Sequence, residues 1–69
     1  MMEQRCTGFV QHYDRTKGYG FLVPLGGTEP VYFEREDIDH TCTGLSQDQQ
    51  VTFTLTLGIG RFQAKNIRP

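Results

Sequence analysis

Between Lys17 and Val23 the chain alternates small and large side chains, Lys17-Gly18-Tyr19-Gly20-Phe21-Leu22-Val23, an order that fits an extended strand. In a strand, successive side chains point to opposite sides. Lys17, Tyr19, Phe21 and Val23 then share one face, and Gly18, Gly20 and Leu22 share the other. Glycine weakens a strand interior, so two in alternation require a reason, such as a sharp coil or another backbone passing close behind. Periodicity alone leaves two readings of Tyr19 and Phe21. They are core residues of a small sheet, or they are rings held out toward a ligand.

The other segments have the same character. No window carries a helical apolar stripe, and strand signals recur at short spacing. Strands are predicted over about 5–13, 17–24, 31–34, 50–57 and 61–67. Gln50 to Leu57 is the cleanest of them, with Val51, Phe53, Leu55 and Leu57 expected inward and the threonines between them outward. In the third segment Val31 and Phe33 share one face, Tyr32 and Glu34 the other. Asp14-Arg15-Thr16 reads as a polar turn, Gly26 to Pro30 as a loop, and Gly58-Ile59-Gly60 as a hairpin turn. Ile38 is expected to anchor one helical turn, and Leu45 to tether the loop from His40 to Gln49. Five short antiparallel strands point to an all-β closed barrel, which leaves no exposed strand edge. An SH3-like barrel satisfies the same count.

Composition narrows the function. Residues 1–69 read as one domain, near the lower size limit for a core without staples. The net charge of −1 lacks the basic excess that would by itself indicate nucleic acid. No stretch approaches the roughly 20 apolar residues of a membrane span, so no membrane partner is expected and the default location is cytoplasmic. Cys6 and Cys42 are too few for a disulfide framework. With His12 and His40 they lack metal-ligand spacing, so neither metal nor cofactor is expected. No nucleophile–base spacing and no phosphate loop before a helix is present, which argues for binding over catalysis.

The order of the motifs is more specific than their number. Gly8-x-Val10, Tyr13-Asp14, Lys17-Gly18-Tyr19-Gly20-Phe21-Leu22, Val31-Tyr32-Phe33, Val51-x-Phe53 and Gln63-Ala64-x-Asn66-Ile67 follow one another along the chain. This series resembles a cold-shock domain from about Arg5 to Ile67, with a shorter and different loop at 39–48. Lys-Gly-Tyr-Gly-Phe is similar to that family's first ribonucleoprotein motif, and Val-Tyr-Phe to the front half of its second. The resemblance implies a five-stranded oligonucleotide/oligosaccharide-binding (OB) barrel that binds single-stranded RNA or DNA. It also implies that Tyr13, Tyr19, Phe21 and Tyr32 face solvent as a stacking platform, with Lys17 at its edge near the phosphates. Planar rings on adjacent strands can hold successive unstacked bases, because every base has a π-face.

Several positions depart from the family pattern. Gln11-His12 stands where the family usually has Lys-Trp, and His12 offers a smaller stacking area than an indole. Glu34-Arg35 stands where it usually has His-Phe. Arg35 can stack on a base or pair with phosphate, whereas Glu34 repels phosphate. Glu36, Asp37 and Asp39 read as a solvated acidic loop, and Arg15, Lys17, Arg35, Arg61 and Lys65 are the candidate phosphate partners. Phe62 is either an added stacking ring, part of a protein-binding patch, or cover for the barrel end. Two functions follow. One is a single-stranded nucleic-acid-binding, RNA-chaperone-like module, weaker than typical family members. The alternative is a protein-interaction or regulatory module with the same barrel and little grip on nucleic acid.

Overall fold

The structure, a computed structural model, describes residues 5–42 and 44–69; Thr43, within the predicted loop, lies outside them. Five strands form a closed all-β barrel: β1 Cys6–Asp14, β2 Tyr19–Pro24, β3 Val31–Glu34, β4 Gln50–Leu57 and β5 Phe62–Arg68. They close in the order β1-β2-β3-β5-β4, with β4 returning to β1. All neighbouring pairs are antiparallel except β3 and β5, which meet in parallel at Tyr32 and Gln63. One 3₁₀ turn, Arg35–Asp37, follows β3, and Ile38 after it bridges to Ile67. No helix among the described residues is long and apolar enough to cross a membrane.

The core is Val10, Leu22, Val31, Phe33, Leu45, Val51, Phe53, Ala64 and Ile67, all buried. Leu22 lies behind Phe21 as alternation requires, and Leu45 ties the long loop to the barrel. Cys6 and Cys42 are free and half-buried against the core. Gly20 has a steric reason. A Cβ there would collide with the carbonyl oxygen of His12 and stand 2.6 Å from Phe33 Cζ. The backbone of β1, paired with β2 at Tyr13 and Gly20, therefore comes too close for a side chain at Gly20, which would push the two strands apart.

Three sequence expectations need correction. The second strand starts at Tyr19, because Gly18 has a φ of 77° and closes the preceding turn, its N–H donating to Asp14 O at 2.8 Å. Asp14 completes that turn by accepting the N–H groups of Thr16 and Lys17 at 3.0 and 2.9 Å. Lys17 thus sits in the turn and not in line with Tyr19 and Phe21. The second correction is at Leu55 and Leu57, which are 43% and 75% exposed. They pair with Ala64 and Phe62 on the inward face, and among the described residues the β1 ladder beside β4 reaches only as far as Cys6 and Phe53.

The third concerns the acidic run. Asp37 is buried, accepting the Glu34 N–H at 2.8 Å and the Gln63 amide at 2.7 Å, and pairing with Lys65 Nζ at 2.7 Å. Asp39 accepts the backbone N–H and hydroxyl of Thr41 at 2.9 and 2.8 Å and Arg68 Nε at 3.0 Å. Glu36 alone of the three is exposed, as a solvated loop requires. A buried carboxylate is stable only when paired and hydrogen-bonded, and Asp37 has both.

Two predictions follow from this packing. Gly20→Ala should lower the unfolding free energy by about 1–3 kcal/mol through overpacking, read as a lower urea midpoint. The second is acid stability. Thr41's backbone N–H is the largest cause holding the Asp39 carboxyl at about 2, against an ordinary 3.8. Its folded value is the lower one, so Asp39 stabilises the fold above the ordinary value and loses that contribution as pH falls toward 2. Asp39→Asn should flatten the pH dependence of stability in that window, and an unchanged slope between wild type and variant would refute this.

Candidate nucleic-acid interface

The ring-bearing face is set by a bulge. In β1, Val10 pairs with Leu22 but His12 pairs with Phe21, so Gln11 is an extra residue in the ladder. Strict alternation would place His12 on the same side as buried Val10 and send Tyr13 outward. The bulge reverses both. His12 comes out beside Tyr19, with ring centroids 6.4 Å apart. Tyr13 turns in against Phe33 at 5.7 Å and packs on the core.

The outward face of β2 and β3 carries the other rings. Phe21 and Tyr32 are direct cross-strand partners, with centroids 5.9 Å apart and planes at 67°. Tyr19 lies 6.1 Å from Phe21, edge to face, and 6.3 Å from Tyr32 at 22°. His12, Tyr19, Phe21 and Tyr32 thus form one connected row over three adjacent strands, with all three large rings half-buried and His12 exposed. These spacings lie in the ordinary range of aromatic pairs, so the row is held by its own packing.

The polar groups around the row are largely engaged. The Tyr32 hydroxyl donates to Glu34 Oε2 at 3.1 Å. Desolvation first, then the bond and charge of Glu34, raise the Tyr32 phenol above its ordinary 10.0. On the β5 side of β3, the Arg61 guanidinium lies 3.8 Å over the Tyr32 ring. Lys65, a candidate phosphate partner by sequence, is bound to Asp37, whose hydrogen bond holds its ammonium above the ordinary range. Lys17 is exposed and makes no ion pair among the described residues.

The structure therefore brings together Tyr19, Phe21, Tyr32 and His12 and separates others. Tyr13 does not join the row; the bulge turns it inward, contrary to the outward placement the resemblance implied. Arg35 is also elsewhere, with Nη2 donating to Arg15 O at 2.6 Å and its guanidinium lying against Gly18. Phe62 is 55% exposed and lines a groove with Phe21 and Tyr32 at the row's β5 end. The cation–π contact of Arg61 and the buried hub at Asp37 carried no sequence signal of their own. Each depends on strands β3 and β5 meeting, which residue order does not announce.

A small closed five-stranded barrel with one ring-covered face is the architecture of oligonucleotide-binding barrel domains. Residues 6–69 match the family model described as the 'Cold-shock' DNA-binding domain. The chain belongs to the cold-shock domain family, which is known for binding nucleic acid. It is 35% identical over 64 residues to cold shock-like protein CspA of Stigmatella aurantiaca, covering 91% of this chain and 94% of the relative. Cold shock protein CapB of Pseudomonas fragi is 34% identical over 68 residues, covering 97% of each. The solved structure of Drosophila Unr CSD456 superposes with a TM-score of 0.78 at 25% identity. That match covers 94% of this chain and 26% of the Unr chain.

The Tyr32–Glu34 contact is directly testable. Glu34→Gln removes the carboxylate charge, so the Tyr32 phenol should titrate closer to its ordinary 10.0. An NMR-detected titration of the tyrosine ring carbons reads this; an unmoved Tyr32 curve would mean that the pair is not formed in solution.

Proposed function

We propose that this protein binds single-stranded RNA or DNA on the row His12, Tyr19, Phe21 and Tyr32, holding bases unstacked in the manner of an RNA chaperone. The observation that carries this reading is the row itself: four rings on three adjacent strands, each within 6.4 Å of a neighbour. A buried core has no use for such rings on the solvent side of a closed barrel. Base–aromatic stacking contributes about 1–3 kcal/mol per base and tolerates any sequence. Lys17, beside the Tyr19 end of the row, supplies a free cation for a phosphate.

The grip is weaker than that of family members with a His-Phe pair on β3. Glu34 places a carboxylate next to Tyr32, and Arg35 is committed to the β1–β2 turn. Two or three phosphate contacts give a shallow salt dependence, about −0.7 in log–log slope for each phosphate neutralised. An affinity on the order of micromolar corresponds to about −8 kcal/mol, which three or four stacked bases can supply after ordering costs. Tyr13 and Arg35 act here as supports for the row, and Phe62 as its extension toward β5.

Fluorescence titration of a labelled oligopyrimidine tests the proposal. Phe21→Ala should weaken binding by about 1–3 kcal/mol. Glu34→Gln should strengthen it, since a repulsive charge is removed. Binding that ignores Phe21→Ala, or is absent at low salt, would overturn the reading and favour the protein-interaction module instead.

A further inference from the structure

Beyond Tyr32 the row opens into a groove of about 630 Å³ between the β4–β5 hairpin and the edge of β3. That volume lies within the range of small-ligand pockets. Phe21, Tyr32, Phe62 and Leu57 form its apolar walls, and Arg61 and Glu29 bring one cation and one carboxylate to it. Arg61 Cζ lies 3.8 Å over the centre of the Tyr32 ring, and among the described residues its N–H groups have no hydrogen-bond or ion-pair partner. Glu29 is likewise exposed and unpaired. A guanidinium pinned over a ring, with its donors unspent, is a preorganised recognition group.

We propose that this groove is a guanine-selective base pocket at the β5 end of the ring row. The inference rests on the reading that the row stacks single-stranded nucleic acid, and it specifies which base that strand carries at its end. Guanine alone satisfies both polar groups. Its O6 and N7 accept the forked donors of an arginine. Its N1–H and N2–H₂ are donors on the Watson–Crick edge, matching a carboxylate. Adenine presents an N6 donor where Arg61 needs an acceptor, and cytosine presents an amino group in the same place. Uracil and thymine offer a carbonyl to Arg61 and N3–H to Glu29 but lack the second acceptor of the fork. The aromatic and aliphatic walls supply stacking that any base would accept, so the two charged groups decide.

The test walks one guanosine through each position of a short oligouridine and titrates each strand against wild type, R61A, E29A and Phe21→Ala. Guanosine at one position should tighten wild-type binding about tenfold over the all-uridine strand. R61A and E29A should each erase most of that gain, bringing the guanosine strand close to the all-uridine strand titrated against the same variant. Replacing the guanosine by 7-deazaguanosine should remove the N7 share of the part that depends on Arg61, and by inosine the N2–H₂ share of the part that depends on Glu29. Equal affinity for every guanosine position would overturn the pocket. So would an R61A variant that shifts all strands by one factor, downward as a phosphate contact or upward as a lid lifted from Tyr32. Retained all-uridine binding that is sensitive to Phe21→Ala would in that case leave the stacking row standing. Absence of binding to every strand would overturn both.

Discussion

The barrel closes on one short seam, and a single buried carboxylate holds it. Strands β3 and β5 meet in parallel at Tyr32 and Gln63, with one further bridge at Ile38 and Ile67. Asp37 spans that seam, taking the Glu34 N–H on one side and the Gln63 amide and Lys65 ammonium on the other. Leaving a buried acceptor unsatisfied costs about 1–3 kcal/mol, more for a charged group. Lys65 is 43% exposed, so its share of that energy is screened by water. The two amide bonds, both part-buried, are the firmer part of the link.

The functional face depends on the same seam. Tyr32 is itself the β3 residue paired with β5, opposite Gln63, and Arg61 lies over its ring. Glu34, at the other end of β3, serves both structures: its backbone N–H goes to Asp37 and its carboxylate receives the Tyr32 hydroxyl. Glu34, proposed above to weaken the hold on phosphate, therefore also begins the turn that closes the barrel. Stability and recognition meet within four residues, Glu34 to Asp37.

Much of this was legible along the chain. All five strands lie within two residues of where alternation and turn residues put them, and the barrel class follows from their number and spacing. Gly20 announced a close approach, and the His12 carbonyl is what approaches. Tyr13 shows where reading along a strand stops working. A single extra residue at Gln11 exchanges the faces of everything after it, and no local residue type requires the extra residue. Leu55 and Leu57 alternate correctly, yet burial needs a partner on the facing strand as well as the right parity. Asp37 looked like one acid among several, because two of its three partners, Gln63 and Lys65, lie far along the chain on β5.

The sequence by itself determined that this chain is a small β barrel with aromatic residues concentrated on β2 and β3. Side-chain periodicity and turn chemistry are local, and they need no knowledge of the fold. Only the tertiary structure decided which rings share a face, that Arg61 lies over Tyr32, and that Asp37 is a buried hub. Those outcomes depend on bulge positions and on which strands become neighbours, and both are set when the whole sheet coils and closes on itself.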